Sequence, residues 1–405
     1  MVKNHLSVDF LSGGGGVATT GTPSTLAASR ALPTRLPSLT GMRFIAALLV
    51  FAYHAFLPNP TLRLLANRQT ATGAYDLVSQ AGGVGVGFFF VLSGFVLTWS
   101  ARSGDRPGSF WRRRFVKIVP NYVVAWALAM VLFAGAKTGT GVAILHLFML
   151  QSWVPDFKIM FGVNPPGWSL GTEAFFYLLF PVLLLLALRT RPERLKFWIA
   201  GVSAAVIATP IVAYLALPST PPIPGESSVS VSQMWFGYTL PPVRALDFAL
   251  GILVARAVMT GRWRNIGMVW SSLLLVAGYV LSEYLPYLYG QSAIFIIPSA
   301  LLIAAAAIAD RDGRFTVFRN RTMTWLGEIS FAFYLVHAIV LVEWRHLLGK
   351  TLYSTPTTFA LVLAALAISI VVSWLMYRLV ERPITLRWSV SRKNRTASAE
   401  ARPLH

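Results

Sequence analysis

The chain has 405 residues, of which 55% are hydrophobic and only 12% charged, about half the roughly 25% charged share of a soluble domain. So few charges cannot coat a water-facing surface, which excludes soluble, disordered and collagen-like classes and leaves a multi-pass membrane protein. The absence of cysteine removes disulfides, thiolate metal sites and cysteine nucleophiles, and the distribution of the +20 net charge speaks for topology rather than nucleic-acid binding.

Residues 1–35 contain SGGGG and a Thr/Ser/Ala-rich stretch without an apolar core, which predicts a flexible cytoplasmic tail and no signal peptide. Ten apolar runs near the ~20 residues that cross a bilayer follow at about 41–58, 83–100, 116–135, 168–188, 196–217, 242–258, 266–283, 291–309, 325–348 and 357–380. They predict an all-α integral membrane protein, a ten-helix bundle over 36–385 with a basic tail over 386–405. Residues 142–153 are too short to span and predict a re-entrant or interfacial piece. Of the 35 Lys and Arg, 27 fall in the two tails and in alternate loops. The positive-inside rule then puts both termini on the cytoplasmic side of the cell membrane.

Ionisable residues inside apolar runs are costly to bury and are the functional candidates by default. The first run carries Arg43 and His54, eleven residues and nearly three turns apart. They share one face and lie roughly 16 Å apart along the axis. A guanidinium at the cytoplasmic end suits a phosphate-bearing ligand, and an imidazole deeper in the same groove suits a base. A membrane-surface anchor for Arg43 and an interhelical bond for His54 are the plainer alternatives. The glycines of GGVGVGFFFVLSGFVL in the second run permit close helix approach. Before the third run, Arg112, Arg113, Arg114 and Lys117 form a cationic cluster. It can anchor to lipid phosphates, or Arg114 and Lys117, three apart, can grip the phosphates of a nucleotide.

The fourth run carries Ser169, Glu173 and Tyr177 at i, i+4, i+8, one polar stripe. Counted from the outer ends of their runs, Glu173 and His54 fall at equal depth, so a carboxylate–imidazole pair is expected, with Glu173 orienting the base. A structural role for Glu173 is the alternative. In the sixth run Arg244 and Asp247 neutralise each other at i, i+3. In the ninth, Ser330, Tyr334 and His337 share a face near the midplane, lining a substrate cavity or bonding neighbouring helices. No His/Asp/Glu cluster has metal-ligand spacing. A cationic cytoplasmic mouth with a deeper base suits group transfer from a phosphorylated donor. A proton-coupled exporter using His54 and Glu173 as its relay fits the same spacing.

Seven motifs in order, LPSLTGMRFIAALLVFAYH, GVGFFFVLSGF, RRRFVKIVP, GWSLGTEAFFYLLFP, RALDFALG, ISFAFYLVH and VERP, make residues 36–385 resemble the membrane-bound acyltransferase 3 superfamily. The resemblance implies a ten-helix bundle and an acyl-CoA donor, often acetyl-CoA, entering from the cytoplasm. It also implies an essential His54, with Arg43, Arg114 and Lys117 holding the donor. The implied reaction is O-acylation of a hydroxyl on a glycosylated acceptor. The tract LPSLTGMRFIAALLVF is similar to stand-alone relatives that acylate macrolides, and a cell-envelope carbohydrate is the other acceptor class. Lys117, Gly87, Asp247 and Phe331 depart from the residues usual at these positions, which bears on fine contacts more than on the reaction. Ser169, Tyr177, Ser330, Tyr334 and His337 are the expected wall of the acceptor cavity.

Overall fold

The computed structural model describes residues 33, 35–59, 62–101 and 104–388. The tails expected over 1–35 and 386–405 therefore lie almost wholly outside the described residues. Fifteen α-helices follow in chain order among the described residues: α1 (Pro37–Ala55), α2 (Arg68–Val78), α3 (Ala81–Trp99), α4 (Pro107–Ala129), α5 (Thr140–Leu147), α6 (Phe157–Met160), α7 (Gly167–Arg189), α8 (Leu195–Ala216), α9 (Val231–Met234), α10 (Pro241–Met259), α11 (Gly267–Ser282), α12 (Ile294–Arg311), α13 (Arg321–Leu348), α14 (Thr355–Met376) and α15 (Arg382–Trp388). A two-stranded hairpin, β1 (Pro222–Ile223) with β2 (Glu226–Ser230), interrupts the loop after α8.

All ten apolar runs are helical. Eight of the helices are long and apolar enough to cross a membrane. The other two are α10, which carries Arg244, Asp247 and Arg256, and α11, which has 16 residues. Large apolar side chains such as Val131, Phe197, Leu215 and Val269 stand on the exterior, as a lipid-facing surface requires.

The centre of the bundle is α3, packed against α1, α10 and α12. Small residues permit this, since helices in lipid gain from close backbone approach rather than from hydrophobic burial. At the α3–α10 crossing, a Cβ on Gly94 would stand 2.0 Å from the Phe248 carbonyl oxygen, and one on Gly251 2.0 Å from that of Val91. Each helix thus presses its backbone into the other's glycine. The α1 N-terminus is capped from α12. The Asp310 carboxylate accepts both the Ser38 backbone N–H (2.8 Å) and the Ser38 hydroxyl (2.6 Å).

Residues 140–166 fold back into the bundle, as expected for 142–153. Gln151 Nε2 donates to Tyr122 Oη (3.3 Å) and Ser152 Oγ to the Trp168 carbonyl (2.6 Å). Asn164 Nδ2 reaches the Leu335 carbonyl inside α13 at 2.9 Å. The segment thereby delivers α7 to the interior of the bundle, where its first residues Gly167, Trp168 and Ser169 are buried.

Candidate functional site

A cavity of about 890 Å³, part of it open to solvent, lies between α1, α3, α4, α7 and α13. Arg43 enters it from α1, Arg114 and Lys117 from α4, Ser169, Glu173 and Tyr177 from α7, and Ser330 and Tyr334 from α13. Eight of the ten site residues expected from the sequence therefore share one space. The spacing rules explain the grouping: Arg114 and Lys117 share a helix face, as do Ser169, Glu173 and Tyr177.

The cations form one end. The Arg114 guanidinium lies over the rings of Phe110 (5.8 Å) and Tyr177 (6.0 Å), which orients its planar fork. Glu173 faces them, and its Oε1 accepts the Ser93 hydroxyl at 3.2 Å and the Tyr177 hydroxyl. Behind the cluster, a single π-helical turn over Tyr377–Glu381 leaves Glu381 buried, where it accepts from Asn121 Nδ2 at 2.7 Å. Lys117 lies within electrostatic reach of two cations, Arg43 and Arg114, and of two carboxylates, Glu381 and Glu173, so charges of both signs surround one ammonium in a low-dielectric interior. Three cations facing one carboxylate leave positive charge to spare, which can hold a polyphosphate.

Tyr334 lines the cavity with its hydroxyl 2.7 Å from Ser169 Oγ and Phe89 edge-on to its ring at 5.8 Å. The remaining two expected residues stand behind it. The His337 ring is 5.9 Å from that of Tyr334, and its Nε2 is 3.2 Å from Nδ1 of His54. His54 is half-buried and lines a second, smaller recess with Leu62, Leu341, Trp344 and Arg345.

Two expectations need correction. His337 is no part of the cavity wall; it packs against His54. Nor does Glu173 pair with His54: its hydrogen bonds go to Ser93 and Tyr177, those of His54 to Val50 and His337. The reason is depth. Counting from helix ends treats α7 as starting at the membrane surface, whereas it starts inside, beside Leu335. Glu173, a turn and a half further on, therefore comes level with the cations. No direct hydrogen bond joins His54 and Glu173, the two residues that the exporter reading uses as its relay.

Ser93 and Glu381 escaped the sequence reading. Ser93 was visible as the one hydroxyl in the apolar stretch FFFVLSGFVL before Thr98. Glu381 stands in the closing VERP motif, but nothing in that motif shows that it turns inward to Asn121. The Arg244–Asp247 pair forms as expected at 2.7 Å, with both side chains nearly inaccessible. Among the described residues, no three His, Asp or Glu side chains are placed to hold a metal ion.

A family model described as an acyltransferase domain matches residues 36–378. Acyltransferase MdmB of Streptomyces mycarofaciens is 41% identical over 362 residues, covering 86% of this chain and 91% of that protein. Peptidoglycan O-acetyltransferase OatA of Listeria monocytogenes is 25% identical over 382 residues, covering 86% of this chain and 56% of that protein. No solved structure matches.

Proposed function

Because the chain belongs to the acyltransferase 3 family, we propose that this multi-pass membrane protein moves an acyl group, acetyl above all, from acyl-CoA to a hydroxyl of a glycosylated acceptor. The acceptor is a macrolide-type natural product or a cell-envelope carbohydrate. The 41% identity to an acyltransferase of a Streptomyces favours the first, and the similarity to a peptidoglycan O-acetyltransferase supports the second. The protein sits in the plasma membrane with both termini in the cytoplasm, from which the donor enters.

The observation that carries this reading is the convergence of Arg43, Arg114 and Lys117 in one cavity whose first member shares a helix with His54. The three cations hold the donor's phosphates, and the pantetheine arm runs along α1 toward His54. His54 Nε2 takes the proton of the acceptor hydroxyl. The alkoxide oxygen bonds to the thioester carbonyl carbon, the C–S bond breaks, and the CoA thiolate leaves to be protonated. Transient transfer of the acyl group to the same nitrogen is the two-step version. Glu173 serves the cations rather than the base: it balances their charge and fixes Tyr177 and Ser93.

The test is acetyl-CoA binding by the purified wild type and by Arg114→Ala/Lys117→Ala. Each lost charged hydrogen bond is worth about 1.5–3 kcal/mol, so the double variant binds at least about 100-fold more weakly. Equal binding by a folded double variant, or none by the wild type, overturns the reading.

A further inference from the structure

The hydrogen bonds around His54 leave one consistent placement of protons. His54 Nδ1 lies 2.8 Å from the Val50 carbonyl oxygen, which can only accept, so Nδ1 carries a hydrogen. His337 Nε2 lies 3.2 Å from that same nitrogen. An Nε2–H there would meet a nitrogen with no lone pair in the ring plane, so Nε2 is bare and accepts a share of the Nδ1–H. The hydrogen of His337 is then on Nδ1, which donates to the Phe333 carbonyl at 3.2 Å. Both rings are Nδ1–H tautomers, and the lone pair of His54 sits on Nε2.

The holder is itself held. His337 is fully buried, stacked on Phe333 at 5.8 Å and 15° and flanked by Phe51 at 6.3 Å. The titratable and charged groups around the pair are Tyr334 on the helix of His337, Tyr53 beside His54 at 5.1 Å, and Arg345, which lines the smaller recess with His54. None of these is a carboxylate, the group that usually orients a catalytic imidazole.

From this geometry we infer that His337 is the positioning residue of the transfer reaction, holding His54 in the tautomer and orientation that make Nε2 the base. When Nε2 takes the acceptor's proton, His54 becomes an imidazolium, and its Nδ1–H donates more strongly to Val50 and to the bare Nε2 of His337. His337 neither gains nor loses a proton in the step. The inference rests on the reading above that His54 is the base, and it gives His337 the role expected of Glu173.

The test uses the full chain labelled with 15N-histidine in lipid bilayers, and His54→Asn assigns the His54 signals. The wild type shows a protonated Nδ1 and a bare Nε2 on His54; a protonated Nε2 with bare Nδ1 overturns the inference without any activity measurement. With acetyl-CoA and a macrolide glycoside as probe acceptor, His337→Leu loses kcat by about 10- to 100-fold, less than the roughly 100- to 10,000-fold carried by a general base itself, while KM for acetyl-CoA is unchanged. His337→Gln, whose amide oxygen can accept in place of Nε2, returns kcat to within about threefold of wild type. Full kcat in His337→Leu, or no recovery in His337→Gln when both retain the wild-type melting temperature, overturns it as well. If the wild type transfers no acetyl group, the proposed function loses support while the nitrogen spectrum still decides the role of His337.

Discussion

The hydroxyls of Ser169 and Tyr334 lie 2.7 Å apart, and this bond sets the register of α7 against α13. Ser169 also donates to the Pro166 carbonyl at 3.0 Å, so the junction of the folded-in segment with α7 is tied to a tyrosine of the cavity wall. One turn further along α7, Glu173 comes opposite Ser93 of α3, away from His54.

That register makes Glu173 a partner of the cations, and its charge opposes donor phosphates. Glu173→Gln keeps an oxygen for Ser93 and Tyr177 and removes the charge. Acetyl-CoA binding then stays equal or tightens by about twofold to tenfold, as expected for one charge removed near a partly solvated site. Titration calorimetry checks this, and a severalfold weaker affinity contradicts it.

The α3–α10 crossing tolerates no side chain. Gly251→Ala forces a Cβ to 2.0 Å from the Val91 carbonyl oxygen, and the helices must separate at a cost of about 1–3 kcal/mol or more. A thermal scan in detergent should show a clear fall in melting temperature. Gly141→Ala, with nothing within 4 Å of the added Cβ, should leave it unchanged.

Arg244 and Asp247 pair at 2.7 Å, with the guanidinium over Phe90 (5.3 Å) and Tyr238 (5.8 Å). Removing one partner strands a buried charge, so Arg244→Met costs about 3–5 kcal/mol. Arg244→Met/Asp247→Leu recovers most of that loss. Folded yield and melting temperature read the cycle, and a double variant as unstable as the single one refutes it.

His146 donates Nε2–H to the Ile159 carbonyl at 2.8 Å, inside the folded-back segment. Burial holds its pKa below the ordinary histidine value, with the Ile159 bond a smaller opposing influence. An unfolded histidine takes up a proton near pH 6.5 that the folded one refuses. Stability present at neutral pH is therefore lost as pH falls through that value. Hydrogen exchange over 140–166, corrected for intrinsic rates, should rise between pH 7.5 and 5 in the wild type. His146→Gln, which keeps the N–H donor, should flatten the change.

Much of this arrangement was legible because it depends on periodicity within single helices. The ten apolar runs are the ten long helices, and the faces Arg114–Lys117 and Ser169–Glu173–Tyr177, which line one cavity, follow from 3.6 residues per turn. Depth was not legible. Where α7 begins depends on Asn164 meeting Leu335, 171 residues away in sequence, and a hydropathy profile cannot register such a bond. The same blindness hid the meeting of His337 with His54 across 283 residues, although each was singled out on its own helix.

The interval on α1 has a consequence of its own. From Arg43 to His54 the helix is uninterrupted, with its one proline at the start, so about 16 Å of rigid rod separates them. For a donor whose phosphates rest at the cations, that rod is a ruler. It fixes how long a carrier arm must be to present its thioester to the imidazole, so truncated thioesters can occupy the cationic end and still fall short of reaction.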